Sequence, residues 1–507
     1  MSNQILAFDL GTGGVKASIY NDVGDSVAEC FVSYETYYPQ SGFHEQNPEE
    51  WWQAVVSSTR NLLLLPGVEV NEIICIAVSG HSLGVIPIGK KGELLSTAVP
   101  IWSDFRAVEQ AKVFFKDISR EEWYLTTGNG FPAHLYSVFK LIWLKDHFPE
   151  LYEKSAKFIG TKDYINYRLT GKLFTDFSYA SGSGVYDLKA WKYQSEYIDN
   201  SEISADKFPE IVPSTEIIGT LLPDIARQLG LNETIKVACG GVDNSCMALG
   251  AGCVDEGMAY TSLGSSAWIA VSGKDPIVDS QKKPYVFTHC VPGMFVSSVG
   301  VFSAGSSFRW MRDTVCLNLL NEKEPYDEMT KLAAQSPIGS KKLLFNPSLA
   351  GGSSLDKSPN IKGGFIGLQL GHTQGDLVRA VMEGISLSLR IGLDVMQSYT
   401  PFTEDMLIVG GGGRSQFWRS LLADIYNKNV IETNVGQDAG SLGAAAVAAV
   451  GIGLWKDFSI VPQLHKEKSR ISPTVQNTQK YEIILGLFKH LADVQADIGD
   501  LIEQTNW

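Results

Sequence analysis

Lys236-Val-Ala-Cys-Gly-Gly-Val-Asp-Asn244 is the stretch whose residue types and order best suit catalysis. An apolar run typical of a buried strand ends there at two glycines, and Asp243 and Asn244 follow directly. We therefore predict that both side chains lie in a loop at the end of that strand. A lone carboxylate in this position can accept the proton of a hydroxyl group, so Asp243 is the candidate general base.

Three glycine turns, each following a strand-like run, are candidates for binding phosphate groups. They are Asp9-Leu-Gly-Thr-Gly-Gly14, Tyr260-Thr-Ser-Leu-Gly-Ser-Ser266 and Gly410-Gly-Gly-Gly-Arg-Ser-Gln416. Glycine lets the backbone approach a phosphate closely, and Thr12 adds a hydroxyl group. The pattern G-x-x-x-x-G-K-[ST] is absent, and Ser415 replaces the last glycine of the dinucleotide-binding pattern. An ordinary hairpin turn remains the alternative for the first of the three.

Trp102, Asp104 and Arg106 lie close together in Pro100-Ile-Trp-Ser-Asp-Phe-Arg106. An indole ring can pack on the C–H faces of a polyol while charged groups bind its hydroxyls. The same spacing suits a purely structural contact between Asp104 and Arg106, so both interpretations stay open.

The elements that position these residues alternate between strands and helices. Apolar periodicity predicts strands at 5–8, 15–20, 26–34, 73–78 and 406–409, and helices at 376–395 and 417–426. Asn47 is the predicted N-cap of a helix that starts at Pro48, and Arg379 and Glu383 are a predicted structural pair. The Ala/Gly-rich stretch 439–455 is predicted to be a buried, closely packed helix. Strands, glycine turns and helices occur in both halves, which predicts an α/β fold of two related lobes with a cleft between them.

Composition limits the class of protein. The chain has 507 residues, which is too many for one hydrophobic core, and a net charge of −14. This charge argues against nucleic acid or an anionic membrane surface as a partner. The seven scattered cysteines and the absence of a visible signal peptide predict a cytoplasmic protein without a cysteine metal site. The sequence leaves a homodimer open.

Taken together, the motifs resemble those of the FGGY carbohydrate kinases, of the actin-like ATPase superfamily. Asp9-Leu-Gly-Thr-Gly resembles the first phosphate loop of that family, and Gly264-Ser265 resembles the second. Ser137-Val-Phe-Lys-Leu-Ile-Trp-Leu-Lys-Asp146 is similar to the first family signature, and Gly363-Gly-Phe-Ile-Gly-Leu368, continued by 376–383, is similar to the second. The resemblance covers nearly the whole chain. It implies two actin-like, ribonuclease H-like lobes around a central cleft, which we place at 1–235 (sugar and first phosphate loop) and 236–507 (catalytic Asp and nucleotide).

The resemblance also implies the roles of particular residues. Asp243 becomes the general base of an ATP-dependent kinase, Asp9 helps to hold Mg²⁺ on the ATP phosphates, and Lys16 matches a basic position beside them. Positioning and charge neutralisation are what phosphoryl transfer chiefly requires. The remaining positions that match the nucleotide site are Gly11, Thr12, Gly13, Gly264, Ser265, Gly305, Arg309, Gly410, Gly411, Ser415 and Gln416. The expected sugar contacts are His81, Ser82, Leu83, Trp102, Asp104, Asp243 and Asn244.

One segment departs from the family pattern. Xylulokinases carry Ser-Gly-Gln-Met-His-Gly, and glycerol kinases carry an Arg-Glu pair, where this chain has Ser79-Gly-His-Ser-Leu-Gly84. His81 either replaces the missing contact or is a core histidine, and Leu83 predicts tolerance of a deoxy substrate. The expected substrate is a ketopentose such as xylulose. The alternatives are glycerol or a tetritol, a deoxyketose, a quorum-signal polyol, or a non-catalytic sugar-responsive regulator of the same fold.

Overall fold

The computed structural model describes residues 3–505, which form two α/β lobes, each built on a seven-stranded sheet. The strands of the first sheet are β1 (Gln4–Gly11), β2 (Gly14–Asn21), β3 (Ser26–Ser33), β4 (Ile73–Gly80), β5 (Ile217–Thr220), β6 (Lys236–Ala238) and β7 (Gly241–Val242). The strands of the second sheet are β8 (Ala259–Leu263), β9 (Ala267–Gly273), β10 (Tyr285–Thr288), β11 (Phe295–Val301), β12 (Asp405–Val409), β13 (Asn429–Thr433) and β14 (Glu467–Ile471).

The helices that matter for the site and for lobe packing form a second set of elements. They are α1 (Pro48–Leu62), α2 (Ser137–His147), α3 (Thr161–Thr170), α4 (Asp243–Gly250), α5 (Gly305–Thr314), α6 (Gln374–Gln397), α7 (Gln416–Tyr426), α8 (Ala439–Gly451) and α9 (Val475–Gln504). Further helices span Val108–Phe114, Arg120–Thr127, Pro149–Lys154, Phe177–Ala180, Ser195–Ser201, Pro223–Leu229, Pro325–Gln335 and Val461–Leu464. Short strands outside the two sheets span Glu45–Gln46, Ile86–Gly89, Val99–Pro100, Ser155–Ile159, Phe174–Asp176, Tyr186–Asp187, Lys192–Tyr193, Glu210–Val212, Leu344–Asn346 and Gly364–Ile366.

The two sheets share one pairing pattern. In the first, β1 pairs antiparallel with β2 and parallel with β4, and β6 and β7 continue parallel to β4. In the second, β8 pairs antiparallel with β9 and parallel with β12, and β13 continues parallel to β12. The repeated pattern confirms the prediction of two related α/β lobes. In each sheet the carboxyl ends of neighbouring parallel strands meet at one edge, where α/β folds place ligands.

Two local interactions predicted from the sequence are present in the helices. The Asn47 side chain accepts a hydrogen bond from the Glu49 amide and caps α1, as predicted. Arg379 donates to Glu383 at 2.8 Å on the buried side of α6, which confirms the predicted structural pair. Within residues 3–505, no helix is both long enough and apolar enough to cross a membrane.

The Ala/Gly-rich α8 packs between the sheets, against α4. A Cβ atom on Gly443 would lie 1.8 Å from the Cys246 carbonyl oxygen, and one on Gly250 would lie 1.8 Å from the Ala439 carbonyl oxygen. The backbones of the two helices are therefore in direct contact, as the composition of 439–455 predicted. Residues of both sheets, among them Ile5, Ala7, Ala270 and Val409, share one apolar core with α8.

The first sheet extends beyond the predicted division between residues 235 and 236. Strands β6 and β7 follow that point in the chain but pair with β4 of the first sheet. The second sheet starts only at Ala259. The predicted division thus separates two strands from their sheet, because short apolar runs do not reveal which strand they will pair with.

Candidate active site

Three parallel strand ends bring the candidate catalytic residues together. Asp9 on β1 lies opposite Ser79 on β4, and Val242 on β7 lies opposite Gly80 on the same strand. Asp243 follows Val242 directly, so it emerges at the edge where Asp9 lies. Strand pairing thus joins two carboxylates that are more than 230 residues apart in the sequence.

Asp243 is the first residue of α4, so the prediction that it lies in a loop is wrong. The helix starts at once because Asp243 suits the positive end of the helix dipole and the following residues suit a buried helix. Its Oδ1 accepts hydrogen bonds from the Asn244 amide (2.8 Å) and from Asn244 Nδ2 (3.1 Å). Burial, followed by the charge of Asp9, raises the pKa of Asp243 to about 7. The carboxyl group can therefore exchange a proton near neutral pH.

Asp9 is held from two sides. Ser79 donates a hydrogen bond from Oγ to Asp9 Oδ1 at 2.8 Å. A Cβ atom on Gly440, in the first turn of α8, would lie 2.3 Å from Asp9 Oδ2, so only glycine allows this approach. Burial raises the pKa of Asp9, against the opposing effects of Ser79 and Lys16.

A cavity of about 390 Å³ opens beside Asp9. Its lining includes Gly11, Gly14, Lys16 and Gln437. Thr12 and Gly13 form the two-residue hairpin turn between β1 and β2 at its rim, so the first glycine motif is both a hairpin turn and part of a cavity.

Lys16 bridges the lobes at this cavity. Its ammonium group pairs with Asp438, just before α8, and with Glu29 on β3 at 2.8 Å. Burial acts to lower the pKa of Lys16, but these two carboxylates outweigh it and the pKa is raised. Lys16 is therefore a fixed positive charge at the cavity beside Asp9.

The glycine turns of the second lobe gather at the ends of β8 and β12. The Gly264 and Ser265 carbonyls accept hydrogen bonds from the backbone amides of Gly305 and Ser306, which open α5. Gly410 has a φ of 90°, and a Cβ there would lie 2.7 Å from the Leu263 carbonyl oxygen. Glycine is therefore required at Gly410, and also at Gly305, where a Cβ would lie 2.3 Å from the Gly264 carbonyl oxygen, but not at Gly264 itself.

Gly411 lies close to the cavity at Asp9. A Cβ atom on Gly411 would be 3.5 Å from Nε2 of Gln437, a residue that lines this cavity. Ser415 caps α7 by accepting a hydrogen bond from the Trp418 amide at 3.2 Å. Arg309 and Gln416 are exposed on α5 and α7. The predicted nucleotide positions therefore divide between the lobes: those from Gly264 to Gln416 lie in the second lobe, whereas Gly11, Thr12, Gly13 and Lys16 lie in the first, at the cavity beside Asp9.

A buried ionic network supports the strand that precedes Asp243. Lys162 contacts Asp176 Oδ1 at 3.1 Å, and Ser178 Oγ donates to Asp176 Oδ2 at 2.5 Å. The Val242 amide donates in turn to Ser178 Oγ at 2.9 Å. The backbone position of Asp243 is thus fixed through charged groups that are removed from solvent.

The predicted sugar contacts separate into two groups. Trp102 is partly exposed, and its indole N–H donates to Thr12 Oγ1 at 2.9 Å, which places it beside the first glycine turn. His81 is buried, with its ring edge-on to Trp51 at 5.5 Å between centroids, and burial lowers its pKa to about 3. Both ring nitrogens are buried without a hydrogen-bond partner among residues 3–505, which is not the state of a satisfied core histidine, so the sugar contact of His81 stays a prediction.

Ser82 and Leu83 are both buried. The Leu83 side chain belongs to an apolar cluster, and its backbone has a φ of 62°, in the left-handed region. Asp104 has no exposed surface, and its carboxylate accepts hydrogen bonds from the Arg106 guanidinium and the His44 amide. The structural alternative for Asp104 and Arg106 is therefore favoured over a direct sugar contact.

Sequence reasoning missed four residues that shape the site. Lys140 on α2 is buried and donates to the carbonyl oxygens of Leu83 (3.1 Å) and Ile101 (2.6 Å), which ties together the two segments expected to contact sugar. Burial lowers its pKa to about 7. The others are Ser79, Gln437 and Asp438. The family signature contained Lys140, but only the tertiary contacts reveal what it holds.

Comparison with known proteins agrees with this geometry. The N-terminal domain model of the FGGY family of carbohydrate kinases matches residues 4–250, and the C-terminal domain model matches residues 259–452. A xylulose kinase of Bacillus subtilis (strain 168) is 29% identical over 500 residues, which is 98% of this chain and 98% of that protein.

Solved structures are similar over the same length. A gluconate kinase from Lactobacillus acidophilus has a TM-score of 0.87 and 26% identity, covering 98% of this chain and 99% of its own. A ligand-bound xylulose kinase from the same organism has a TM-score of 0.88 and 26% identity, covering 97% and 98%. These neighbours confirm the two actin-like lobes. The chain belongs to the FGGY family of carbohydrate kinases and is an ATP-dependent sugar kinase.

Proposed function

We propose that this kinase phosphorylates a hydroxyl group of a ketopentose, with xylulose as the first candidate, and that Asp243 is its general base. The observation that carries the proposal is the position of Asp243 at the strand edge shared with Asp9, with a pKa of about 7. A base with such a pKa is largely ionised above neutral pH and still basic enough to accept a hydroxyl proton. As the sugar oxygen bonds to the terminal phosphorus of ATP, the bond to ADP breaks and the proton passes to Asp243.

Residues of this chain fit a Mg²⁺ ion at Asp9. Carboxylate oxygens and water are the ligands that Mg²⁺ prefers, and Asp9 is a buried carboxylate whose charge raises the pKa of Asp243. Bound with ATP, the ion would neutralise charge on the phosphate oxygens. Lys16 lies at the same cavity, where ATP phosphates would compete with Asp438 and Glu29 for its ammonium group. The turn at Gly410 offers close backbone approach on the nucleotide side.

The charges near the expected sugar contacts favour a neutral substrate. By their names, the similar proteins act on xylulose or on gluconate, which differ in that gluconate carries a carboxylate. Arg106 is engaged by Asp104 and Glu45, and Lys140 by two backbone carbonyls. The carboxylate of an anionic sugar would compete with these contacts for Arg106 or Lys140. A ketose carries no charge and needs neither cation as a partner.

The test is a comparison of kcat/KM, measured as ADP release, for D-xylulose, its deoxy analogue, glycerol, a tetritol and gluconate. We expect D-xylulose to have the highest value. A deoxy analogue within about tenfold of it would agree with an apolar Leu83 in the site, since one buried hydrogen bond is worth about 1–3 kcal/mol. A higher value for gluconate or a polyol would contradict the ketopentose. If a sugar binds but none of the compounds causes ADP release from ATP, the protein is the non-catalytic, sugar-responsive regulator.

A further inference from the structure

A cavity of about 270 Å³ lies between the two lobes and shares no lining residue with the cavity at Asp9. Its first-lobe wall comes from residues 115–133, and its second-lobe wall comes from residues 281–302 and 352–359. Within residues 3–505, none of the positions predicted to contact sugar or nucleotide lines it. Domain interfaces often hold small-molecule sites, and this volume is at the lower end of their range. The cavity therefore suits a ligand smaller than ATP.

Two cations in the lining of this interlobe cavity have no carboxylate partner. Arg120 is the first residue of the helix Arg120–Thr127, and its guanidinium carbon lies 4.4 Å from the centroid of the Phe115 ring. Across residues 3–505, neither Arg120 nor Lys283 forms an ion pair or a side-chain hydrogen bond. A positive charge in the first turn of a helix is electrostatically unfavourable. Both cations are therefore free to bind an anion that enters the cavity.

The backbone of Lys283 is held in an unusual conformation by contact between the lobes. Its φ is 42°, in the left-handed region that costs energy for a side chain of this size. A Cβ atom on Gly130 of the first lobe would lie 2.1 Å from the Lys283 carbonyl oxygen. The Val286 amide donates to the Gly128 carbonyl oxygen at 2.9 Å in the same contact. Strained backbone of this kind is concentrated at functional sites.

Aromatic rings and unpaired polar atoms from both lobes line the same cavity. The rings of Phe131 and Tyr285 stack with 4.3 Å between their centroids, one from each lobe. Asn129 is 2% exposed, and its Oδ1 has no hydrogen-bond partner within the described chain. The Tyr285 hydroxyl also forms no hydrogen bond with residues 3–505. Buried polar atoms normally have partners, so a ligand with hydroxyl groups would complete both residues.

The charge balance of the cavity favours an anion. Among the lining residues that the structure describes, Asp356 is the only carboxylate. It accepts hydrogen bonds from the Ser353 amide at 2.7 Å and from Ser353 Oγ at 3.1 Å, within its own loop. Burial raises the pKa of Asp356. Two unpaired cations thus face one carboxylate that already has partners.

We propose that the interlobe cavity is a second ligand site, which binds a small sugar phosphate between the two lobes. Arg120 and Lys283 bind the phosphate group through charge-assisted hydrogen bonds. Asn129 and Tyr285 bind hydroxyl groups, and the Phe131 ring packs against C–H groups of the sugar. Inorganic phosphate would use the two cations alone. This inference does not depend on the proposed ketopentose substrate.

Calorimetric titration of the full-length chain with ribose 5-phosphate tests the proposal. A non-hydrolysable ATP analogue is kept at saturation, so that the nucleotide site is filled throughout. We expect one molecule to bind per chain, and Arg120→Gln and Lys283→Gln should each weaken binding about tenfold, because a hydrogen bond to a charged group is lost. Lys274→Gln is the matched control, since Lys274 is exposed in the second lobe and lies outside the cavity. It should bind ribose 5-phosphate as the unaltered protein does.

Two simpler ligands identify which part of the sugar phosphate is recognised. Inorganic phosphate and ribose should each bind at least tenfold more weakly than ribose 5-phosphate. Equal affinity for inorganic phosphate would contradict a sugar phosphate as the ligand. Absence of binding at about 10 mM ribose 5-phosphate, a concentration that fills even a site with a Kd of about 1 mM, would refute the site. Affinity unchanged in both cavity variants would refute it as well.

Kinetics separate this site from the reaction centre. Without ribose 5-phosphate, Arg120→Gln and Lys283→Gln should keep the KM values of the unaltered enzyme for ATP and for the accepted sugar. Thermal unfolding of each variant shows that it is folded. A raised KM in a folded variant would place the cavity within the reaction centre and overturn the proposal of a separate site.

Discussion

Replacing Asp243 by asparagine separates its proton-accepting role from its structural role. Asn keeps an oxygen in the place of Oδ1, so it can still accept the two hydrogen bonds from Asn244 at 2.8 and 3.1 Å. It cannot take the hydroxyl proton. Loss of a general base lowers the rate about 10²- to 10⁴-fold. At 1.36 kcal/mol per tenfold, this corresponds to a barrier about 3–5 kcal/mol higher.

The pH dependence gives a second readout of the same residue. Because burial and Asp9 raise the pKa of Asp243 to about 7, kcat/KM of the unaltered enzyme should rise with pH up to about 7 and then level off. The residual rate of Asp243→Asn should lack this titration. In Asp9→Asn the titration should persist but move to lower pH, because the neighbouring negative charge is gone.

Stability should distinguish loss of chemistry from loss of structure. The pKa of Asp243 in the folded protein lies above its ordinary value of 3.8, so ionisation of this group disfavours the folded state as pH rises from about 4 to about 7. At pH 8, Asp243→Asn should therefore unfold at the same or a higher temperature than the unaltered protein. ATP binding, measured by calorimetry, should be retained. A kcat within a few-fold of the original at saturating sugar, in a folded variant, would remove Asp243 from the mechanism.

Two further predictions concern the scaffold. Lys140→Met leaves two buried carbonyl groups without their donor, at a cost of about 1–3 kcal/mol in stability. In steady-state kinetics it should raise the KM for sugar more than the KM for ATP. Equal changes in both KM values would argue against a role of Lys140 in positioning the sugar segments. Gly443→Ala should lower the unfolding temperature and kcat together, because its Cβ would lie 1.8 Å from the Cys246 carbonyl oxygen on the helix that starts at Asp243. Gly486→Ala on α9 is the control, because nothing lies within 4 Å of the added Cβ, and this variant should not be destabilised. Similar unfolding temperatures for the two variants would contradict the close packing of α8 on α4.

Several elements of the fold could be predicted from local sequence. Apolar periodicity located five strands of the two sheets, and glycine positions located the turns that close against Leu263 and Gly264. These features depend on neighbouring residues, and the chain itself contains that information. The start of α4 at Asp243 was predicted wrongly, because a short run after two glycines suits a loop and a helix equally well.

The sequence by itself determined the chemical groups: a carboxylate after two glycines, a second one before a glycine turn, and the family to which their order belongs. Only the tertiary structure decided how these groups affect one another. The fold buried Asp243 near Asp9, and this burial, followed by the charge of Asp9, raised the pKa of Asp243; it also buried His81 and Asp104. The reason is that local pattern depends on residues a few positions apart, whereas desolvation and charge coupling depend on which distant segments pack together.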